Sequence, residues 1–435
     1  MAIISLPIPM VSILEKNIVK PSSPTPTSLR THSLSYIDQA LSSMYIPFAF
    51  FYSKPQQTTT NNNISQLMQT SLSKTLTSYY PYAGFLRDNA SVECNDTGVE
   101  FYEVRIHCPM SDVLDNVEHT QSIVFPAELP WKNCYEKLAV AQVSHFECGG
   151  IAVSASLCHK IGDGFTATKF INDWAATARD PHVKPFANFV RDSVIPPPEK
   201  SPPLPTPVIV AETQHCRQKR YFFSASKLNS LKAMVKAKTG IQNPTRTEVV
   251  SAFLYKCIVS AVKTRKDSDT LRPSQLFHYA NIRPLALPQS LAVTSAGNLL
   301  STFSISTTHD DEMDVAKLVA DLRKRKQGLY GEDVIKENEL ALEIYESTKG
   351  GQKPYDDDGF DKYSFSSICN FPLYDVDFGW GRPMHVSVPM GPFKNFILLS
   401  GNKSMDGVDA WVTMEEGYMA ALDQYEEIEE FAGSI

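Results

Sequence analysis

The sequence predicts a protein of the α/β or α+β class with two domains. The chain has 435 residues, a length sufficient for two separate hydrophobic cores, and both halves mix helix-like and strand-like segments. Residues 195–207 contain seven prolines in thirteen positions. Because proline interrupts helices and central strands, we interpret this stretch as a crossover between domains. The predicted boundaries are 1–194 for the N-terminal domain, 195–215 for the linker and 216–435 for the C-terminal domain.

The first half predicts a helix followed by an antiparallel pair of strands. Apolar spacing through residues 67–76 is typical of a helix. Segments 138–146 and 151–158 are rich in Val, Ile and Ala, and the Cys-Gly-Gly sequence between them suits a hairpin turn. His159 is therefore expected at the end of a strand. Apolar spacing after Gly164 predicts a helix there.

The second half predicts a similar mixture. A Thr-Arg-Thr-Glu sequence at 245–248 matches the capping-box pattern and predicts a helix from there to about residue 262. The other predicted elements are a strand at 220–223, a helix through 228–235 that ends at Gly240, a strand at 299–306 and a final helix around 419–431.

Charge and hydropathy exclude several classes of partner. The net charge is −7, and the basic run at 323–326 follows an apolar helical pattern, so nucleic acid is not an expected partner. No apolar run approaches the roughly 18 residues that span a bilayer. The first residues lack the basic leader of a signal peptide. We therefore expect a cytoplasmic protein without a membrane partner.

The eight cysteines are scattered, and none forms the Cys-x-x-Cys pairs used in zinc and dithiol sites. We expect reduced thiols and no metal. Cys158 adjoins His159, which raises the alternative of a nucleophilic cysteine. Neighbours in an extended segment point to opposite faces, however, so the two side chains should diverge.

The segment His-Lys-Ile-Gly-Asp-Gly at 159–164 is the candidate catalytic site. A neutral imidazole can take a proton from an alcohol as it attacks a carbonyl, and can then return the proton to a thiolate leaving group. Asp163 has two possible roles: it orients His159 as a triad carboxylate does, or it fixes the backbone of the bend. The spacing does not choose between them. By itself the pattern is equally compatible with a capping or loop histidine.

A second segment, residues 371–383, contains the sequence Asp-Phe-Gly-Trp-Gly. The combination of this motif with His-x-x-x-Asp near the middle of the chain resembles the BAHD acyltransferase family of plants. The order and separation of the motifs fit the family, as do four lesser features along the whole chain. These are Leu34-Ser35-Tyr36-Ile37-Asp38, Tyr80-Pro81-Tyr82-Ala83-Gly84, Asn281-Ile282-Arg283-Pro284 and Gly297-Asn298.

The resemblance implies a fold and a reaction. The fold would be two similarly built domains, each a mixed β-sheet with flanking helices as in chloramphenicol acetyltransferase, with a channel between them. The co-substrate would be acyl-CoA, and the acceptor would attack the thioester directly, without an acyl-enzyme and without a metal. We expect a monomer.

The glycine and aromatic residues of the second motif are typical of a tight, packed turn. The resemblance implies that Asp377, Gly379, Trp380 and Gly381 are structural. We expect Asp377 to pair with a buried cation, and Arg283 is the candidate because it matches the arginine of the family's Asn-x-Arg pattern. Direct catalysis by Asp377 is the alternative.

Thr245 and Thr247 are candidate CoA contacts, because a helix start offers hydroxyls and free amides to a phosphate or pantetheine group. Helix capping alone is the alternative explanation. The sequence before the second motif has Asn370 where the family often has arginine, which favours a neutral or cationic acceptor.

The closest likeness is to family members that acylate alkaloid or terpenoid alcohols, often with acetyl-CoA. The alternatives are an N-acyltransferase that acts on an amine such as a polyamine, and a catalytically inactive homologue that binds a metabolite or a partner protein.

Overall fold

The computed structural model describes residues 11–55, 61–115, 121–126, 134, 136–189, 203–206, 215–265, 273–308, 313–329, 360–389, 391 and 393–434. They fall into two compact units. Unit 1 comprises Met1–Thr206, Leu287–Asn298 and Pro372–Pro389, and unit 2 comprises Pro207–Ala286, Leu299–Phe371 and Met390–Ile435. Of the proline-rich crossover, only residues 203–206 lie within the described part of the chain.

The strands in chain order are β1 Val11–Val19, β2 Thr31–Ser33, β3 Tyr45–Tyr52, β4 Phe85–Leu86, β5 Ser91–Glu93, β6 Val99–Ile106, β7 Ala139–Phe146, β8 Ile151–Cys158, β9 Cys216–Phe223, β10 Ser274–Asn281, β11 Leu300–Thr307, β12 Asp361–Ile368, β13 His385–Ser387, β14 Phe396–Gly401, β15 Val408–Glu415 and β16 Gly433–Ser434. The helices are α1 Tyr36–Ala40, α2 Asn61–Ser78, α3 Met110–Leu114, α4 Gly164–Arg179, α5 Ala225–Thr239, α6 Arg246–Arg265, α7 Arg283–Ala286, α8 Gln289–Ala292, α9 Val315–Gly328, α10 Glu416–Asp423 and α11 Glu426–Phe431.

Unit 1 is built on a six-stranded mixed sheet with the order β1-β6-β7-β8-β3-β13. Its centre is the predicted hairpin, in which β7 and β8 pair antiparallel with Ala139 opposite Leu157. Every residue of both strands is buried, which explains why both are rich in Val, Ile and Ala. Gly149 occupies the turn with φ of 82°, a conformation that favours glycine.

Helix α4 follows the hairpin and packs against α2. The predicted apolar face of α4 is buried, including Phe170, Ile171 and Trp174. Both helices were expected from apolar spacing, and both are present. His159 lies in the short connection between β8 and α4.

Two segments of the predicted C-terminal domain belong to unit 1 instead. They are residues 287–298 and 372–389. The second of these supplies β13, which pairs antiparallel with β3, so that Val386 lies opposite Phe50. Strand pairing between residues far apart in sequence is therefore the reason that the structural units depart from the contiguous boundaries predicted from the sequence.

Unit 2 has a seven-stranded mixed sheet with the order β11-β10-β12-β14-β15-β9-β16, and helices α5, α6 and α9 contribute to its core. Helix α5 ends at Gly240, which has φ of 74°, as the sequence predicted. The predicted final helix is divided into α10 and α11, because Tyr425 between them adopts an extended ψ of 116°. No helix in the described part of either unit combines the length and apolarity needed to cross a bilayer.

Candidate active site

His159 is the first residue after β8, and its backbone is fixed on both sides. Its amide donates to the carbonyl oxygen of Met44 at 2.8 Å, and its carbonyl oxygen accepts from Nδ2 of Asn298 at 2.7 Å. The residue is partly exposed, whereas its ring Nδ1 is buried and makes no hydrogen bond within the described residues. One side of the imidazole is therefore shielded, and the residue keeps access to solvent.

Burial lowers the pKa of His159 below its ordinary value of 6.5. The backbone of His159 itself, the charge of Asp163, the side chain of Asn298 and the charge of Asp38 act in the opposite direction without restoring the ordinary value. The imidazole is therefore neutral at pH 7, which is the state that a general base requires.

Asp163 holds the start of α4. Its Oδ1 accepts from the backbone amide of Thr166 at 3.0 Å and from the Thr166 hydroxyl at 3.1 Å, which is the arrangement of a helix N-cap. The same hydroxyl lies 2.9 Å from the carbonyl oxygen of Gly297. Of the two roles that the sequence left open, these contacts support fixing the bend. The carboxylate still acts on His159 through its charge, because it raises the histidine pKa.

The surroundings of Cys158 do not favour a nucleophilic cysteine. Cys158 is fully buried, and its Sγ lies 2.6 Å from Sγ of Cys134. Burial and this neighbour raise the pKa of the Cys134 thiol well above its ordinary value. Cys158 therefore lacks the exposure that a reactive cysteine needs. Both cysteines are free thiols.

A buried lysine, which sequence reasoning missed, follows His159. Nζ of Lys160 donates to the carbonyl oxygens of Asp38 at 3.2 Å and Gln39 at 3.1 Å, and burial lowers its pKa to about 8. These bonds tie the residue after His159 to helix α1. Asp38 and Ser35 form a reciprocal capping box at the start of that helix, a pattern that was available in the sequence.

Asn298 is a second residue that sequence reasoning missed. Its Nδ2 donates to Oδ1 of Asp38 at 2.9 Å and to the carbonyl oxygen of His159 at 2.7 Å, and it is fully buried. Its Oδ1 is buried without a hydrogen bond among the described residues. The only available signals were two of the lesser features of the resemblance, which contain Asp38 and Asn298 and which the fold brings together beside His159.

The Asp-Phe-Gly-Trp-Gly motif forms a turn in unit 1. Oδ1 of Asp377 accepts from the backbone amides of Gly379 at 2.8 Å and Gly381 at 2.9 Å. These two glycines have φ of 110° and 102°, which explains why glycine occupies both positions. Arg179 donates to the carbonyl oxygen of Asp377. Hydrogen bonds of this kind fix a turn, and the structural role of the motif stays a prediction.

The aromatic residues of the same motif pack together. The rings of Phe378 and Trp380 are stacked with centroids 5.7 Å apart. Tyr52 contacts Trp380 edge to face at 5.9 Å, and Trp174 of α4 contacts Phe378 at 5.1 Å. The motif is thus anchored to β3, which pairs with β8, and to α4, which follows the candidate catalytic segment within unit 1.

Arg283 is buried in unit 2. Its backbone amide and its Nη1 donate to Oδ1 of Asn281 at 3.0 and 3.2 Å, so the two polar residues of the Asn-x-Arg pattern bond each other. Asp377 belongs to the other unit, and the predicted ion pair between Asp377 and Arg283 stays a prediction.

The candidate CoA contacts lie at the start of α6 in unit 2. The amide of Thr245 donates to Oε2 of Glu248 at 2.7 Å, and the amide of Glu248 donates to Oγ1 of Thr245 at 3.2 Å. The predicted capping box is therefore present. Thr247 bonds the hydroxyl of Ser367 at 3.0 Å.

Asn370 lies close to the same helix start. Nη2 of Arg246 donates to Oδ1 of Asn370 at 3.3 Å. A guanidinium thus lies beside the position where the family often has an arginine, which weakens the inference that a positive charge is missing there.

Metal ligation is not supported by side-chain clustering. Within the described ranges, no group of three or more His, Cys, Asp or Glu residues is arranged to hold a metal ion. What the site offers is a partly exposed neutral imidazole on a rigid backbone, which can accept and return a proton.

Comparison with known proteins gives matches over nearly the whole chain. A sequence model of the Transferase family matches residues 9–429. The chain is 46% identical to Acyltransferase Pun1 of Capsicum frutescens, across 98% of this chain and 99% of that protein. It is 41% identical to 17,18-epoxy-17-hydroxycur-19-ene N-malonyltransferase of Strychnos nux-vomica, across 98% and 91%. It is 35% identical to deacetylvindoline O-acetyltransferase of Catharanthus roseus, across 97% of each.

Solved structures share the fold. The crystal structure of vinorine synthase matches with a TM-score of 0.81 and 28% identity, across 98% of this chain and 99% of that one. TRI101 of F. graminearum, crystallised with coenzyme A and deoxynivalenol, matches with a TM-score of 0.71 and 15% identity, across 92% and 99%. The predicted fold class, mixed α/β with two sheet-containing domains, is confirmed.

Proposed function

Because the chain belongs to the Transferase (BAHD) family of acyltransferases, we propose that it transfers an acyl group, in the first instance acetyl, from acyl-CoA to an alcohol. The acceptor class is a hydroxyl of a plant alkaloid or terpenoid. The observation that carries the proposal is His159, a neutral and partly exposed imidazole on a fixed backbone.

The proposed reaction moves one proton and one acyl group. His159 takes the hydroxyl proton as the acceptor oxygen attacks the thioester carbonyl carbon, and a tetrahedral intermediate forms. The carbon–sulfur bond then breaks, and the imidazolium returns the proton to the CoA thiolate. The products are an ester and free CoA. Cys158 takes no part as a nucleophile.

The protonation states of the two acceptor classes favour an alcohol over an amine. An amine acceptor is a cationic ammonium near neutral pH, so it would lose hydration and a proton before it could attack. A neutral hydroxyl avoids both. One relative is named as an N-malonyltransferase and another as an O-acetyltransferase, so the experiment must include both acceptor classes.

The assay is release of the CoA thiol. Acetyl-CoA, malonyl-CoA and a medium-chain acyl-CoA are each incubated with matched panels of alcohols and amines, and products are identified by mass spectrometry. We expect ester formation with acetyl-CoA. Amide formation with no ester would support the N-acyltransferase reading. A folded chain that releases no thiol with any pair would support the inactive homologue.

The assignment of His159 is tested by His159→Ala, which should lower turnover by roughly 10²- to 10⁴-fold, the usual contribution of a general base. The matched control is His145→Gln. His145 is a buried histidine on β7, and its Nε2 lies 2.8 Å from Oε1 of Glu103. We expect this control to lose stability while keeping turnover within a few-fold. Near-full activity of His159→Ala would overturn the assignment.

A further inference from the structure

The proline-rich crossover has few backbone donors. Residues 202, 203 and 205 are prolines, and proline has no N–H group. Any backbone hydrogen bond donated by residues 202–205 must therefore come from Leu204. This residue lies two positions before Thr206, after which the chain passes from unit 1 into unit 2.

Both backbone polar groups of Leu204 are bonded by side-chain amides of unit 1. Its N–H donates to Oε1 of Gln39 at 3.0 Å, and its carbonyl oxygen accepts from Nδ2 of Asn89 at 2.7 Å. Both amides belong to buried residues. Gln39 and Asn89 thus form a clamp that satisfies the donor and the acceptor of one crossover residue.

The side-chain amide of Gln39 has a defined orientation in this clamp. Its Nε2 donates to the carbonyl oxygen of Leu34 at 3.0 Å, while its Oε1 accepts from the Leu204 amide. A carbonyl oxygen only accepts and an N–H group only donates. Exchanging the nitrogen and oxygen of the amide would therefore break both bonds.

The backbone of Gln39 connects the clamp with the candidate catalytic segment. Its carbonyl oxygen accepts from Nζ of Lys160 at 3.1 Å and from Nδ2 of Asn89 at 3.2 Å. Lys160 is fully buried and directly follows His159. A continuous series of hydrogen bonds therefore runs from Leu204 through Gln39 to Lys160, and all of its members lie in unit 1.

We propose that Gln39 is a positioning residue, which anchors the crossover at Leu204 and, through Lys160, holds the backbone of His159 in the place where the imidazole acts. Gln39 affects the reaction through the histidine. The kinetic consequence rests on the proposed function, whereas the anchoring and its effect on the catalytic segment do not.

The physical reason for the coupling is that α1 carries both ends of the connection. Gln39 belongs to this short helix, and the carbonyl oxygens of Asp38 and Gln39 both accept from Lys160. Without Leu204, Oε1 of Gln39 would be a buried acceptor that has lost its donor, which is unfavourable. A shift of α1 that relieved this would move the two acceptors of Lys160. Displacement of a catalytic group by 1 Å can lower the rate about 100-fold.

Leu204→Pro isolates the anchor. Proline removes the amide hydrogen from a position that already has prolines on both sides, and it leaves the sequence of α1 and of the catalytic segment unchanged. The matched control is Leu204→Ala, which shortens the same side chain and keeps the amide. Gln39→Leu removes the same hydrogen bond from the other side.

The first readout is hydrogen exchange of the full chain without substrate, followed by mass spectrometry. Exchange in residues 202–205 reports the Leu204 amide alone, and we expect it to be about fivefold faster in Gln39→Leu, as for the loss of one hydrogen bond. Residues 159–163 should exchange about fivefold faster in Leu204→Pro than in Leu204→Ala. A Leu204 amide that is unprotected in the wild type would refute the anchor. Equal exchange of residues 159–163 in the two Leu204 variants would refute the coupling.

The second readout is kinetic. We expect kcat of Leu204→Pro to fall roughly tenfold, with KM for acyl-CoA changed less than about threefold, while Leu204→Ala keeps kcat within about twofold of the wild type. In a Lys160→Met background, Leu204→Pro should lower kcat by less than about twofold further, because the connection is already interrupted. Equal losses in both backgrounds, or full activity of Leu204→Pro, would overturn the proposal. Because hydrogen exchange needs no substrate, it decides the coupling even if no acceptor is found.

Discussion

Substitution of Asp163 separates a helix cap from a triad carboxylate. Asp163→Ala removes the acceptor for the Thr166 amide at 3.0 Å and for the Thr166 hydroxyl at 3.1 Å. Loss of an N-cap costs about 1 kcal/mol, and hydrogen bonds to a buried charged group contribute about 1.5–3 kcal/mol. The hydroxyl keeps its contact with Gly297 at 2.9 Å, so we expect a loss of about 2–3 kcal/mol. The melting temperature should fall by about 5–10 °C.

Asp163→Asn is the informative variant. The amide keeps an oxygen acceptor of the same shape, and asparagine caps helices as well as aspartate does. We therefore expect a stability loss under about 1 kcal/mol and kcat within about tenfold of the wild type. A carboxylate that orients a catalytic histidine behaves differently, because its replacement by the amide lowers turnover about 10⁴-fold.

Stability is measured by urea unfolding and thermal unfolding. Turnover is measured as CoA thiol release with acetyl-CoA and the best acceptor. The matched control is Asp314→Asn, because Asp314 caps α9 in unit 2 through the amides of Ala316 at 2.9 Å and Lys317 at 3.1 Å. A stable Asp163→Asn protein with turnover reduced about 10⁴-fold would refute a role limited to capping and would indicate that Asp163 orients His159 as a triad carboxylate does.

Three further predictions follow from the same contacts. Burial lowers the pKa of His159 below 6.5, so the base form persists as the pH falls and the acid limb of kcat/KM should lie below pH 6.5; a limb centred above pH 7 would contradict this. Asp377→Ala removes the acceptor of two glycine amides and should lower the free energy of unfolding by about 1–3 kcal/mol, whereas a fully stable but inactive variant would indicate catalysis by Asp377. For Lys160, the pKa is about 8 when folded against 10.5 as the ordinary value, so the unfolded chain binds more protons between these pH values. The free energy of unfolding of the wild type should therefore rise by roughly 3 kcal/mol across that interval relative to Lys160→Met, measured by urea unfolding, and parallel pH profiles would show that Lys160 is not buried as described.

The functional prediction depended mainly on the resemblance to the BAHD family, and the comparisons confirm that the chain belongs to this family. The local elements around the catalytic segment were also predictable. The β7–β8 hairpin, the position of His159 at the end of β8 and the start of α4 all depend on neighbouring residues. Hydrophobic periodicity and turn chemistry are local properties, so a single sequence contains them.

The unit boundaries were less predictable. Contiguous domains were the natural expectation from the proline-rich stretch, yet residues 372–389 join unit 1 through the pairing of β13 with β3. The final helix was predicted as one element and is two. In each case the outcome depends on a partner strand or on the conformation of a single residue, and neither is visible as a periodic pattern.

Local sequence was enough to predict the strand and the helix that flank His159, the candidate base, and the glycine turn of the second motif, because short-range hydrogen bonding and side-chain period fix these features. The groups that surround the imidazole, in contrast, depend on tertiary packing. Asn298 lies 139 residues from His159 along the chain and 260 from Asp38, and no local rule brings them together. The packing of the sheet and its connections places both beside the histidine, and the resulting burial sets its pKa and the environment in which it works.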